Sequence, residues 1–202
     1  PRAVADPARI AAAAAALRQG ATSLLLLGGS FVSARAKASA AAIAQATGCA
    51  LRTPISSPRN ERGAGRVEIP RVPYAGEEAI AALSDIRQVV LCGARRPVSN
   101  FAFPDRSNVL TQPGCVFVEL AETDDDIEAT LAALADAVGA KAMAPPAATT
   151  AARMPPTGAP IPEGIARTTP ALLPENAIVG DGGGPPGRGS ARFTADAPPH
   201  DW

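Results

Sequence analysis

"LLLLGGSFVSARAKASAAAIAQATGCAL", residues 24–51, is the stretch on which the fold turns. With Ser23 it opens on an unbroken apolar strand to Leu27, of the kind buried on both faces of a parallel sheet. Gly28-Gly29-Ser30 makes the turn, and an Ala-rich helix is expected over Ala34 to Ala46, stopped by Gly48. Cys49-Ala50-Leu51 then begins a second strand. This is a strand–helix–strand unit, and its neighbours repeat the alternation. Upstream, Asp6-Pro7 reads as an N-cap with Pro at the first helical position, for a helix ending near Arg18 and Gly20. Downstream come a short helix over Glu77 to Leu83, strands over Gln88 to Cys92 and Cys115 to Leu120, and a clear amphipathic helix. In that helix Ile127, Leu131, Leu134 and Val138 form one stripe, with Asp124 or Asp125 as its cap and Gly139 behind it. Alternating strands and helices imply parallel pairing with right-handed crossovers. The expected fold is α/β: a doubly wound, mainly parallel, Rossmann-like sheet with a Pro/Gly-rich C-terminal extension.

Composition separates the two parts. Residues 1–142 hold 9 Pro and 10 Gly, whereas residues 143–202 hold 12 Pro and 8 Gly. A segment in which one residue in three is Pro or Gly is expected to lack a packed core of its own. The expected division is a folded domain over 1–142, a linker over 143–173 and the start of another domain over 174–202. Nineteen acidic and nineteen basic residues leave no net charge to favour nucleic acid or an anionic membrane. The longest strongly apolar run, Leu24 to Leu27, is far too short for a bilayer span. Three cysteines, Cys49, Cys92 and Cys115, each sit in or beside an apolar run, which reads as buried thiols and a cytoplasmic setting. His200 is the sole histidine, so zinc sites and Ser-His or Cys-His catalysis have little to build on.

Ligands of a doubly wound sheet bind beyond the carboxyl ends of its strands. Gly28, Gly29 and Ser30 lie there, as do Gly93, Ala94 and Arg95. Small residues directly after a strand let backbone approach a ligand and offer amides to a phosphate, and these six are the candidate cofactor-binding residues. The same glycines also suit plain strand-to-helix turns, and neither segment completes a dinucleotide fingerprint. Residues 54–76 form a long loop in which Arg59, Arg62, Arg66 and Arg71 outnumber Glu61 and Glu68, a pattern for a phosphate, an acidic partner or simple solvation. Asp124-Asp125-Asp126 has the look of a metal cluster, but capping of a helix N-terminus explains it better. No catalytic residue and no metal ligand is assigned.

Taken in order, "LLLLGGSFVSARAKASAAAIAQATGCAL", "RGAGR" at 62–66, "IRQVVLCGARRPVSNFAFP" at 86–104 and "LLPENAIV" at 172–179 resemble the thiamine diphosphate-dependent enzymes of the acetolactate synthase and benzoylformate decarboxylase group. The resemblance covers the central domain, roughly residues 8–140. It extends through "LLPENAIV" and "TADAPPHDW" into the opening of the diphosphate-binding domain. It implies a carboligase or decarboxylase acting on 2-keto acids, with thiamine diphosphate and Mg²⁺ in the complete enzyme. In that family a separate domain carries the activating glutamate, and a Gly-Asp-Gly motif with a later Asn holds the metal. The "GDGGG" at 180–184 falls in the first loop of that third domain, and no Asn follows Asn176, so Asp181 is not expected to ligate magnesium. The resemblance further implies FAD or ADP in the central domain, near Gly93-Ala94-Arg95, where Arg96-Pro97-Val98 departs from the flavin-binding pattern. Its expected partners are the remaining domains or homologous subunits, as dimer or tetramer, with no nucleic acid and no membrane. A chain of this extent is expected not to turn over substrate alone. A free-standing nucleotide-binding module and a relic without ligand are the alternative readings.

Overall fold

The protein is described by a computed structural model covering residues 2–102, 104–105, 107–148, 154–159, 161–182 and 189–202. It divides into two compact units. The first contains residues 1–58 and 69–143, and the second residues 59–68 and 144–202.

In the first unit, α1 (Pro7–Leu17) is capped by Asp6, whose carboxylate accepts from Arg9 N–H at 2.9 Å. After a single 3₁₀ turn, β1 (Ser23–Leu27) is buried at all five positions. A fully buried strand needs both neighbours, and β1 has them: β2 (Ala50–Arg52) on one side and β4 (Gln88–Cys92) on the other. With β5 (Val116–Ala121) beyond β4, the sheet runs β2-β1-β4-β5, every pairing parallel. The register places Leu24 between Ala50 and Val89. This is the expected α/β sheet.

Side chains alternate across it. Leu24, Leu26, Val89 and Leu91 face one layer, where Ala79 and Leu83 of and just beyond α3 (Gly76–Ala82) pack with Val72, Ile86 and Leu110. Leu25, Leu27 and Val90 point the other way, toward α1, α2 (Ala34–Thr47) and α4 (Ile127–Val138). Helices α2 and α4 are tied by polar contacts as well: the Ser33 hydroxyl donates to Glu128, and Arg35 meets the same carboxylate at 2.9 Å. The cap of α4 is Asp126, which accepts from Ala129 N–H at 3.0 Å, rather than Asp124 or Asp125. Asp125 closes the preceding turn by accepting from Glu122 N–H at 2.8 Å.

In the second unit, part of the stretch read as a linker is helical. Within 143–173, Pro162–Leu172 is an α-helix, α5, that starts on a proline and buries Ala166 and Pro170. It packs against α6 (Ser190–Phe193), with the Arg167 and Arg192 guanidinium groups each 4.6 Å from the Phe193 ring centre. A small sheet runs β3 (Glu61–Arg62), β7 (His200–Asp201), β6 (Ala177–Ile178). The long 54–76 loop is therefore two things, because its middle ten residues belong to the second unit. Gly63 makes that possible: at φ +110°, a β-carbon there would lie 2.7–2.9 Å from the Ala197–Pro199 backbone. Three of the arginines for which a phosphate, an acidic partner or solvent was open are engaged locally. Arg62 is 3 % exposed, bonded to Glu68 at 2.8 Å and to the Ala191 carbonyl at 2.7 Å. Arg59 pairs with Asp201 and Arg66 donates to the His200 carbonyl at 2.9 Å.

Candidate functional site

Strand order changes direction between β1 and β4, since β1 leads to β2 on one side and the later strands add on the other. Crevices form at such a switch point, outside the carboxyl ends of the strands. A cleft of about 350 Å³ lies there, lined by Gly28, Gly29, Gly93, Ala94, Arg95 and the Pro54–Pro58 segment. Its volume sits at the small end of ligand pockets, which run from roughly 300 to 1,000 Å³. A second cleft of about 480 Å³ shares Ala94, Arg95 and Arg96 and adds Glu119, Glu122 and Asp124, giving it mixed charge.

Five of the six candidate residues converge on the first cleft, and Ser30 does not line it. The amides expected to face a phosphate are partly committed. Gly28 N–H donates to the Cys92 carbonyl and Gly93 N–H to the Ala121 carbonyl, both at 2.8 Å, while Ser30 N–H reaches Thr123 at 3.4 Å. Gly28 and Gly93 are needed for each other: a β-carbon on Gly28 would stand 2.7 Å from the Gly93 carbonyl oxygen, and one on Gly93 would stand 2.9 Å from that of Gly28. These glycines close the sheet edge by backbone-to-backbone packing.

What remains for an anion is side-chain chemistry. Arg95 is exposed and forms no ion pair among the described residues. Arg96 is stacked 4.6 Å over the Phe117 ring. Ser56, Ser57, Asn100 and Thr123 add polar groups to a wall otherwise made by Leu26, Ile55 and Val72. Sequence reading missed this Pro54–Pro58 wall; its signal was the Thr53-Pro54 step directly after a strand. The hydroxyls of Thr53 and Ser30 are buried at the same sheet edge with no hydrogen-bond partner among the described residues.

The cysteines are not reactive groups of the site. Burial pushes the Cys92 thiol up to about 12, and burial also raises Cys49 and Cys115. Among the described residues no group of three or more His, Cys, Asp or Glu side chains gathers to hold a metal. Asp181 stands exposed on its glycine-rich turn. None of the described helices is long and apolar enough to cross a membrane.

Comparison with known proteins gives the geometry its context. No protein-family model matches the chain. A Mycobacterium tuberculosis H37Rv protein that carries the name of an acetolactate synthase large subunit, IlvX, is 38 % identical over 201 residues, covering 100 % of this chain and 39 % of the relative. Among solved structures, a Mycobacterium smegmatis protein assigned as thiamin diphosphate-dependent superposes with a TM-score of 0.63 at 16 % identity, over 96 % of this chain and 40 % of that one. The thiamine diphosphate-dependent 4-hydroxybenzoylformate decarboxylase of Rhodococcus jostii RHA1 gives 0.57 at 13 % identity, over 99 % and 41 %. The chain spans about two-fifths of the length of these relatives. Sequence likeness along the whole chain and a shared fold agree: the chain is similar to a part of an acetolactate synthase large subunit and has the fold of the matching part of thiamine diphosphate-dependent enzymes.

Proposed function

We propose that this chain supplies the central domain, residues 1–142, and the opening of the diphosphate-binding domain, residues 174–202, of a carboligase or decarboxylase acting on 2-keto acids in the cytoplasm. The observation that carries the reading is the 38 % identity with IlvX over 201 residues, along the whole of this chain. Thiamine diphosphate supplies the carbanion chemistry in such an enzyme, with Mg²⁺ on the diphosphate. The described residues do not fit that group: magnesium needs near-octahedral oxygen ligation, Asp181 is exposed, and no group of three or more His, Cys, Asp or Glu side chains gathers among the described residues. No step is therefore assigned to this chain's residues. Its contribution is to hold the assembly together with the remaining domains or with homologous subunits.

The switch-point cleft fits an adenine nucleotide, ADP or the adenylate half of FAD, held through Arg95 rather than through the amides of Gly28 and Gly93. Apolar walls suit a base, and an unpaired guanidinium suits a phosphate. Titration calorimetry with ADP and with FAD tests this: Arg95→Ala is expected to abolish binding that the wild type shows, and unchanged affinity would place the ligand elsewhere. The parent reading is tested by replacing the aligned 201 residues of IlvX with this chain. A chimera that folds and assembles as IlvX does is expected, and failure to fold would refute the equivalence.

A further inference from the structure

The second unit contains an arrangement that the likeness to these relatives does not explain. Its sheet is held by β7, two residues long and central, with β3 antiparallel on one side and β6 parallel on the other. His200 of β7 is 1 % exposed and pairs in register with Arg62. Its Nδ1 lies 2.8 Å from the Pro198 carbonyl, so in the neutral ring the proton sits there and Nε2 is the acceptor. Nε2 is buried with no hydrogen-bond partner among the described residues.

Among the described residues, the acids near the ring are already engaged by arginines. From the β3 segment come Arg62, with its guanidinium 5.5 Å from the Trp202 ring centre, and Arg66, bonded to the His200 carbonyl. The acids of that segment already face arginines: Glu68 meets Arg62 at 2.8 Å and Glu61 meets Arg66 at 3.8 Å. On β7 itself, Asp201 is bonded to Arg59. Arg192 of α6 stacks on Phe193. A proton arriving at Nε2 would thus create a buried N–H⁺ without an acceptor, beside two arginines, which is among the costlier changes a folded site can suffer.

We propose that β7 and the Arg59–Glu68 segment form a clasp that stays closed while His200 is neutral and opens when the ring is protonated. Burial first, then Arg62 and Arg66, hold the His200 ring below its usual range, although the Pro198 bond and Asp201 pull the other way. The sign follows. A depressed folded value means that the open form takes up the proton more readily, so the clasp is fully stable above the ordinary histidine range near 6.5 and weakens as pH falls below it.

Hydrogen exchange tests this on the whole chain, because Asn60 N–H donates to the Trp202 carbonyl, Trp202 N–H to Asn60, and Ala64 N–H to Ala197. Comparing wild type with His200→Asn at one pH cancels the intrinsic exchange chemistry. At about pH 5.5 these three amides should lose protection in the wild type but not in the variant, while at about pH 7.5 both should be protected. Equal protection in the two proteins at the lower pH would overturn the proposal. Should His200→Asn fail to close at either pH, proton NMR of the only histidine in the wild type decides. Titration below the ordinary range, coincident with loss of amide protection, supports the clasp; titration at the ordinary value with protection intact refutes it.

Discussion

Replacing Gly28 by alanine separates the two roles open to the glycines of the sheet edge. The added β-carbon would lie 2.7 Å from the Gly93 carbonyl oxygen and 3.2 Å from both Cα and Cβ of Ala94. The nearest obstacles are backbone, so no rotamer change relieves the clash. Gly28 N–H is also fixed to the Cys92 carbonyl at 2.8 Å, so the two segments cannot part without breaking a ladder bond. Overpacking of this kind costs about 1–3 kcal/mol. For a domain of this size each kcal/mol moves the midpoint by roughly 2–4 °C, so a fall of about 2–12 °C is expected. The assay is thermal unfolding followed by far-ultraviolet circular dichroism, with no nucleotide present. Gly76→Ala is the control, because a β-carbon there meets only Ser99 Oγ at 3.6 Å, and in a helix it should be neutral or stabilising by up to about 1 kcal/mol. If Gly28→Ala melted like the wild type and merely lost nucleotide affinity, the close-packing argument would be wrong and the glycine would serve a ligand.

Three further outcomes are expected. Gly63→Ala should destabilise the second unit by about 2 kcal/mol or more, from positive-φ strain plus contact with the Ala197–Pro199 backbone, and should expose the Arg62 and Arg66 peptide bonds to trypsin. Asp126→Ala should cost about 1 kcal/mol through loss of the α4 cap, whereas Asp124→Ala should be nearly silent in chemical denaturation. With Cys92 held at about 12 and Cys115 only partly buried, alkylation of the native protein near pH 8 should modify Cys115 first and Cys92 only on unfolding, as read by mass spectrometry.

The first unit was legible because its signals are local. Leu24 to Leu27 admit only a doubly buried strand, and the stripe of Ile127, Leu131 and Leu134 admits only one buried helix face. Three consecutive aspartates before α4 are chemically alike, so only the backbone geometry picks Asp126 as the cap. The glycines at 28 and 93 were visible, but their reason was not, since each is required by the other across the sheet. The second unit was illegible for a deeper reason. Strands of two residues carry no periodicity, and the partner of Arg62 is a histidine 138 positions away (200 minus 62). Arg62 and His200 read as a loop charge and a terminal residue, whereas both are buried. Pro and Gly content suggested a linker because it measures how hard a segment is to order alone, and it carries no sign that residues 59–68 group with 144–202 in one compact unit.

That pairing sets a schedule for folding. Closing a loop so long costs chain entropy before any strand contact repays it, and contacts of such separation form slowly. During synthesis the first unit can complete its sheet once residue 121 has left the ribosome, as β5 is its last strand. Residues 59–68 must then wait, with their arginines and two strand residues uncovered, until residues 200–202 arrive. The newborn chain thus passes through an interval in which a charged stretch is open to other molecules, and the arrival of residues 200–202 brings that interval to a close.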